Sequence, residues 1–188
     1  MRKIVIADDE PITRINIAEM LHDAGYSVVG QAVDGFDAVE LCKKHHPDLV
    51  ILDVKMPLLD GLMASKIINE ENLAGCIILL TAYSGKEFID KAKENGVCNY
   101  IVKPVTEKSI LPAVEIAMYR ADEIRKIKEE THKANDKLEA RILVDRAKSL
   151  LIKNDNMTED DAYNYIRKLS MDKRCSMGDI SKALLMRE

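Results

Sequence analysis

The run "DLVILD", residues 48–53, decides the fold. It is nearly continuous in apolar residues and ends on an acid. Such a run is expected of a strand buried on both faces, as in a parallel sheet covered by helices. Four other runs share this character: "KIVIA" (3–7), "SVVGQA" (27–32), "CIILLT" (76–81) and "NYIVK" (99–103). Between them lie segments with helical spacing. Ile15, Ala18 and Leu21 mark one, with Gly25 as its stop; Ala38, Leu41 and Cys42 mark another. Five strands alternating with helices predict a doubly wound parallel α/β fold, whose ligand site lies at the carboxyl ends of the strands.

The residues at those ends are chemically distinctive. The first strand ends at Asp8 and Asp9, the third at Asp53, the fourth at Thr81 and the fifth at Lys103-Pro104. In one parallel sheet these groups meet at one edge. Three carboxylates together repel unless a cation neutralises them, and a hard divalent ion with oxygen ligands, Mg2+, suits the cluster. A lysine and a hydroxyl beside it suit an incoming phosphoryl group. Taken singly, each residue has a plainer reading: a strand-end Asp or Thr is often a cap, and a lysine is often a surface charge. The ordered combination is what is specific.

The motifs "VIADDEP", "VILDVKMPLLDG", "LLTAY" and "YIVKP" stand in the order and spacing of a receiver domain, and residues 1 to about 120 resemble the receiver of a two-component response regulator. The resemblance implies Asp53 as phosphoacceptor. It implies Asp8, Asp9, Asp53 and the backbone carbonyl of Lys55 around Mg2+, Thr81 and Lys103 on the phosphoryl oxygens, and a cis Lys103–Pro104 bond. It further implies a sensor histidine kinase as phosphodonor, and Tyr100 as an aromatic that switches with Thr81. Tyr100 as core filler is the alternative. The face expected to respond comprises a helix over 85–95, the fifth strand and a helix from 106. This reading makes the protein a phosphoacceptor switch with at most slow self-dephosphorylation, not an enzyme.

Charge divides the chain. Residues 1–118 hold 12 Lys/Arg and 18 Asp/Glu, whereas residues 119–188 hold 16 and 14. Such asymmetry points to two parts with different partners. The opening "MRKIVIADDE" reaches acids within eight residues, and no apolar run is long enough for a bilayer. The reading is a cytoplasmic protein without membrane partners. Cys42, Cys76, Cys98 and Cys175 show no paired spacing and are read as buried, reduced thiols.

From Ala113 to Met177 there is neither Gly nor Pro, which predicts long helix. Val114, Ala117, Ala121, Ile124, Thr131, Asn135, Leu138 and Ile142 form a half-polar seam. It could pair with a second copy, giving a homodimer on phosphorylation, or be a single extended helix. "KNDN" (153–156) breaks it. Thr158 with Asp161, and Ser176 with Asp179, predict caps of two further helices.

The stretches "RAKSLL" (146–151), "DDAYNYIRKLSM" (160–171) and "DISKALL" (179–185) resemble the ANTAR module, an RNA-binding antitermination output. Ser149 departs from the glycine of many relatives. The domain expectation is a receiver over 1–118, a helical linker or coiled coil over 119–138, and a three-helix ANTAR module over 139–188. Ala162, Tyr163, Ile166, Leu169 and Ser170 share a helical face read as core, packed with Ala147, Leu150, Leu151, Ile180, Ala183 and Leu184. The opposite face offers Tyr165, Arg167 and Lys168, followed by Lys173 and Arg174; Arg146, Lys148 and Lys153 could join them. An aromatic among cations can stack on an unpaired base while the cations meet phosphates. Ordinary solvation of a charged helix is the alternative.

The whole architecture resembles the antiterminator response regulators of ethanolamine utilisation, whose targets are paired hairpins in leader RNA. Two other outputs remain open: a DNA-binding activator, and a helical tail that binds protein. The first usually needs a basic recognition helix after a tight turn, and no such turn appears here.

Overall fold

All five apolar runs are strands in the computed structural model, which describes residues 1–82 and 94–186. They are β1 (Lys3–Ala7), β2 (Ser27–Ala32), β3 (Leu49–Asp53), β4 (Ile77–Thr81) and β5 (Asn99–Val102). Every pairing is parallel, in the order β2-β1-β3-β4-β5. The chain therefore leaves β1 toward one edge and returns beside it as β3. That reversal opens a crevice at the carboxyl ends of β1 and β3.

Both faces of the sheet are covered, which explains the unbroken apolar runs. Leu49 and Ile51 of β3 join one core layer with Ile4, Ile6, Ile78 and Leu80. The alternate residues Val50 and Leu52 join the other, with Val5, Ile77 and Leu79. Each such side chain contributes roughly 1.5–3 kcal/mol on burial. β2 departs from the expectation of two-sided burial. Among its residues only Ala32 is fully buried, because β2 is an edge strand.

The connecting helices are α1 (Pro11–Asp23), α2 (Gly35–His45) and α3 (Gly61–Glu70). Side chains fix two of their starts: Asp34 accepts from the Asp37 amide at 2.9 Å, and Asp60 from the Met63 amide at 2.7 Å. The buried positions of α1 are Ile17 and Leu21, whereas Ile15, one of the residues that mark its helical spacing, is exposed. The helix read over 85–95 falls largely outside the described residues.

A single helix, α4 (Glu107–Asp155), follows β5 and passes through Pro112. The chain divides into two units, Met1–Ile124 and Arg125–Glu188. This division splits the seam read along the helix. Val114 and Ala117 are buried in the core of the first unit, with Ala121 packed against it. They cannot serve a second copy. Ile124, Leu138 and Ile142 are exposed.

In the second unit α5 (Glu159–Lys173) and α6 (Met177–Leu185) pack with the end of α4. Thr158 accepts from the Asp161 amide, and Ser176 and Asp179 form a reciprocal capping box. The core is Ala147, Leu151, Ala162 and Ile166, with Val144, Met157, Ile180 and Leu184 against it. Tyr163 and Ala183, read as core, are exposed, and Leu150, Leu169 and Ser170 are half-buried. A four-residue centre of small and branched side chains leaves a phenol ring no interior to fill. Gly178 permits the close approach of α6 to α4: a Cβ there would lie 3.1 Å from the Ala140 Cβ.

Candidate functional site

The parallel register delivers the strand-end groups to one place. Asp53 pairs across β3–β4 with Leu80, and Thr81 pairs across β4–β5 with Val102, the residue before Lys103. Asp8 follows β1 directly. Its amide donates to the Ala32 carbonyl at 3.3 Å, so the β1–β2 ladder extends into the site. Carboxylate oxygens of Asp8, Asp9 and Asp53 all lie within 4.8 Å of one another.

Lys103 binds two of them. Its Nζ is 2.8 Å from Asp8 Oδ2 and 3.2 Å from Asp53 Oδ2. The Lys103 amide donates to the Thr81 carbonyl at 2.8 Å, and the following Lys103–Pro104 bond is cis. Asp8 and Thr81 are fully buried, Asp53 is nearly so, and Asp9 is exposed. A cavity of about 310 Å3 opens over Asp9, Asp53, Lys55, Thr81 and Lys103. A larger open groove of about 710 Å3 along Met1, Ile15, His22 and Tyr26 has no comparable carboxylate–lysine set.

Burial raises the Asp53 carboxyl above the usual range, and Asp8 adds to this; Lys103 acts against both but does not cancel them. For Lys103, burial pulls the ammonium down, yet its bond to Asp8 and the charge of Asp53 leave it raised. Both shifts report the same imbalance. Three carboxylates and one ammonium leave a formal excess of two negative charges, which is the charge of one divalent cation. The donors are all oxygens, as a hard cation requires. The residues thus fit Mg2+, with Asp8, Asp9 and Asp53 able to hold it.

Three residues that sequence reading did not single out shape this site. Arg14, on the first turn of α1, donates to the Asp8 carbonyl at 2.6 Å. The Glu10 amide donates to Asp8 Oδ1 at 2.9 Å, fixing that carboxylate's orientation. Gly61 lets α3 close over the Asp53 backbone. Glu10 and Gly61 were visible beforehand only as parts of the quoted motifs "VIADDEP" and "VILDVKMPLLDG". Tyr100 is partly buried against the core layer that includes Leu79, its register partner across β4–β5.

The basic candidates of the second unit differ in their surroundings. Arg146, Lys153, Tyr165, Arg167, Lys168, Lys173 and Arg174 are exposed. Lys148 is committed elsewhere: its Nζ lies 3.0 Å from Asp145 and 2.9 Å from Glu159. Arg174 caps α5 in the left-handed conformation, at φ 54°.

Comparison with known proteins agrees with both halves. The response regulator receiver domain matches residues 4–115, and the ANTAR domain matches residues 132–185. The chain belongs to the response regulators, with a receiver domain followed by an ANTAR output domain. It is 42% identical over 184 residues to the transcriptional regulatory protein PdtaR of Mycobacterium tuberculosis, covering 98% of this chain and 89% of that protein. Chemotaxis protein CheY of Bacillus subtilis is 36% identical over 112 residues, 60% of this chain and 93% of its own. The receiver domain of the response regulator NarL from Mycobacterium tuberculosis superposes with a TM-score of 0.60 at 29% identity, covering 63% of this chain and 96% of that one. Among the described residues no helix is long and apolar enough to cross a membrane.

Proposed function

We propose that this protein is a phosphorylation-controlled switch that binds hairpin RNA in nascent transcripts and prevents transcription termination. The observation that carries the reading is the pairing, in one chain, of the Asp8–Asp53–Lys103 cluster with an ANTAR domain. A sensor histidine kinase supplies the phosphoryl group. Asp53 attacks the phosphorus of the phosphohistidine, the P–N bond breaks, and the imidazole leaves. Mg2+, held by Asp8, Asp9, Asp53 and the Lys55 carbonyl, would neutralise phosphoryl oxygens.

Lys103 is already poised over Asp53 and can follow the charge from the carboxylate to the new oxygens. The Thr81 hydroxyl approaches the same oxygens, and Tyr100 moves into the space it vacates. This converts a local charge into a change at β4, β5 and the start of α4. Because no substrate turns over, the protein is a switch, not an enzyme. A cytoplasmic location follows from its reaction partners.

The exposed stretch of α4 that carries Ile124, Leu138 and Ile142 is a half-polar helix face suited to a second copy. Phosphorylation at Asp53 favours the dimer, which presents two ANTAR modules to two hairpins on one strand. Each module offers few cations, so one hairpin is held weakly, and the second contact gains effective concentration. Tyr165 stacks on an unpaired loop base while Arg167, Lys168, Lys173 and Arg174 meet phosphates; Arg146 and Lys153 extend the patch. The transcript under control is that of a catabolic operon, such as one for ethanolamine utilisation.

The test uses the full chain, a small-molecule phosphodonor and Mg2+. Wild type should be labelled and Asp53→Ala should not; equal labelling would exclude Asp53. Gel shifts then compare one-hairpin RNA, two-hairpin RNA and duplex DNA. A two-hairpin advantage that grows on phosphorylation supports the proposal. Preference for duplex DNA would assign a DNA-binding activator, and binding to neither a protein-binding tail.

A further inference from the structure

Two of the four cysteines, 22 positions apart in sequence, are neighbours in the fold. Cys76 immediately precedes β4, and Cys98 immediately precedes β5. The register Ile78↔Asn99 continues backward, with the Cys98 amide donating to the Ile77 carbonyl at 2.9 Å. Cys98 therefore stands beside Ile77, and Cys76 lies one residue diagonally away. Strands about 4.8 Å apart and a rise of about 3.3 Å put their Cα atoms roughly 5.8 Å apart. A disulfide needs about 4.4–6.8 Å. Cys98 lies outside the regular strand, and its side chain packs against the same core layer as Cys76. The two thiols thus neighbour each other at the edge of one core layer.

We propose that Cys76 and Cys98 are a dithiol–disulfide pair, a reversible oxidation site at the end of the sheet opposite Asp53.

The two sulfurs have unequal roles. Cys76 is almost wholly buried, and its Sγ also lies 3.4 Å from the Asp48 carbonyl. The neighbouring Cys98 thiol and its burial push its thiol up. Cys98 is less buried than Cys76. The neighbouring Cys76 thiol holds the Cys98 thiol below the ordinary value; burial opposes this, and the Ile77 backbone and the Arg120 guanidinium assist. Cys98 is thus the accessible nucleophile and Cys76 the resolving thiol.

With a hydroperoxide as oxidant the chemistry balances. The Cys98 thiolate attacks one peroxide oxygen, the O–O bond breaks, and the sulfur is oxidised to sulfenic acid while water or alcohol leaves. The Cys76 sulfur then attacks the Cys98 sulfur, the S–S bond forms, and the hydroxyl leaves as water with the Cys76 proton. Thiol exchange reverses the bond. The closed loop contains Thr81, and the bond ties β4 to β5, the strands that carry Thr81 and Tyr100. The site is separate from the phosphoacceptor, and its test does not depend on RNA or a kinase.

The experiment treats folded full-length protein with hydrogen peroxide, blocks residual thiols, and maps the peptides by mass spectrometry. A Cys42→Ser, Cys175→Ser background leaves the pair alone. The expected product lacks both free thiols, is lighter by two hydrogens, links the Cys76 and Cys98 peptides, and reverts with dithiothreitol. Cys76→Ser should stop at a Cys98 sulfenic acid that dimedone traps, and Cys98→Ser should leave Cys76 reduced. Because the buried Cys76 variant could unfold, the linkage in the Cys76/Cys98-only protein decides. Both thiols remaining reduced, or linkage arising only after denaturation, would overturn the proposal.

Discussion

Gly61 rests on the backbone of Asp53 so closely that a Cβ there would stand 2.1 Å from the Asp53 carbonyl oxygen. The Gly61 amide also donates to the Val54 carbonyl at 3.1 Å, so α3 begins directly against the chain that carries Asp53. The contact fixes the backbone that carries the Asp53 side chain.

Gly61→Ala should therefore disturb both stability and chemistry. The neighbour is backbone and cannot rotate away, so overpacking should cost about 1–3 kcal/mol. Urea unfolding measures this, and phosphodonor labelling of Asp53 should slow in the same variant. Gly25→Ala, with open space around its Cβ position but a φ of 85°, is a backbone-strain control far from the site.

Lys103→Ala removes the ammonium shared by Asp8 and Asp53. Without divalent cation the two buried carboxylates lose their partner, and the receiver should lose about 1–3 kcal/mol. Mg2+ should restore most of it, so the variant's melting temperature should depend on Mg2+ more steeply than that of wild type. Melting curves with and without EDTA decide the point.

In the ANTAR domain, Lys148→Ala should weaken RNA binding less than Lys168→Ala. The Lys148 ammonium already lies between Asp145 and Glu159, whereas the Lys168 side chain is exposed. Each phosphate contact removed should flatten the salt slope by about 0.7 on single strands. Salt titrations of hairpin binding would show equal slopes if the distinction is wrong.

Thr158→Ala and Ser176→Ala each delete a helix cap and should destabilise the second unit by about 0.5–2 kcal/mol. The Ser176 variant should be the more costly, since a reciprocal box is lost. Circular dichroism melts of the full chain would register this in the transition of that unit.

Ile124→Ser with Leu138→Ser should suppress the proposed phosphorylation-dependent dimer without lowering Asp53 labelling. Both side chains are exposed on α4, outside the acidic pocket. Light scattering with and without phosphodonor measures the mass; a dimer that persists in the double variant would move the interface elsewhere.

The strands were legible to within a residue at either end because β3 and β4 are buried on both faces, which leaves no polar alternation to confuse the reading. The clustering of the acids and Lys103 was legible for a related reason: parallel order places strand ends together, and the ends carried the charges. Faces of helices read less well. Tyr163 fell on the wrong side because an apolar side chain at a boundary position satisfies either assignment. The seam of α4 misled similarly: Val114 and Ala117 serve the chain's own sheet, a tertiary demand invisible in spacing. Cys76 and Cys98 were read as scattered because their nearness arises only from the β4–β5 register. Arg14 gave no signal, since a single arginine on a helix does not announce that it reaches a carbonyl 6 positions earlier.

Arg174 ends α5 with φ 54° and ψ 37°, a backbone region that glycine or asparagine occupies more cheaply than arginine. Glycine there should raise the melting point, by roughly 0.5–1 kcal/mol of added stability. It would also delete a guanidinium displayed from a backbone pinned between the end of α5 and the Ser176 cap. Engineering this domain for heat resistance alone would thus favour erasing one of its basic side chains, and a thermostable variant obtained that way should be assayed on RNA before it replaces the parent.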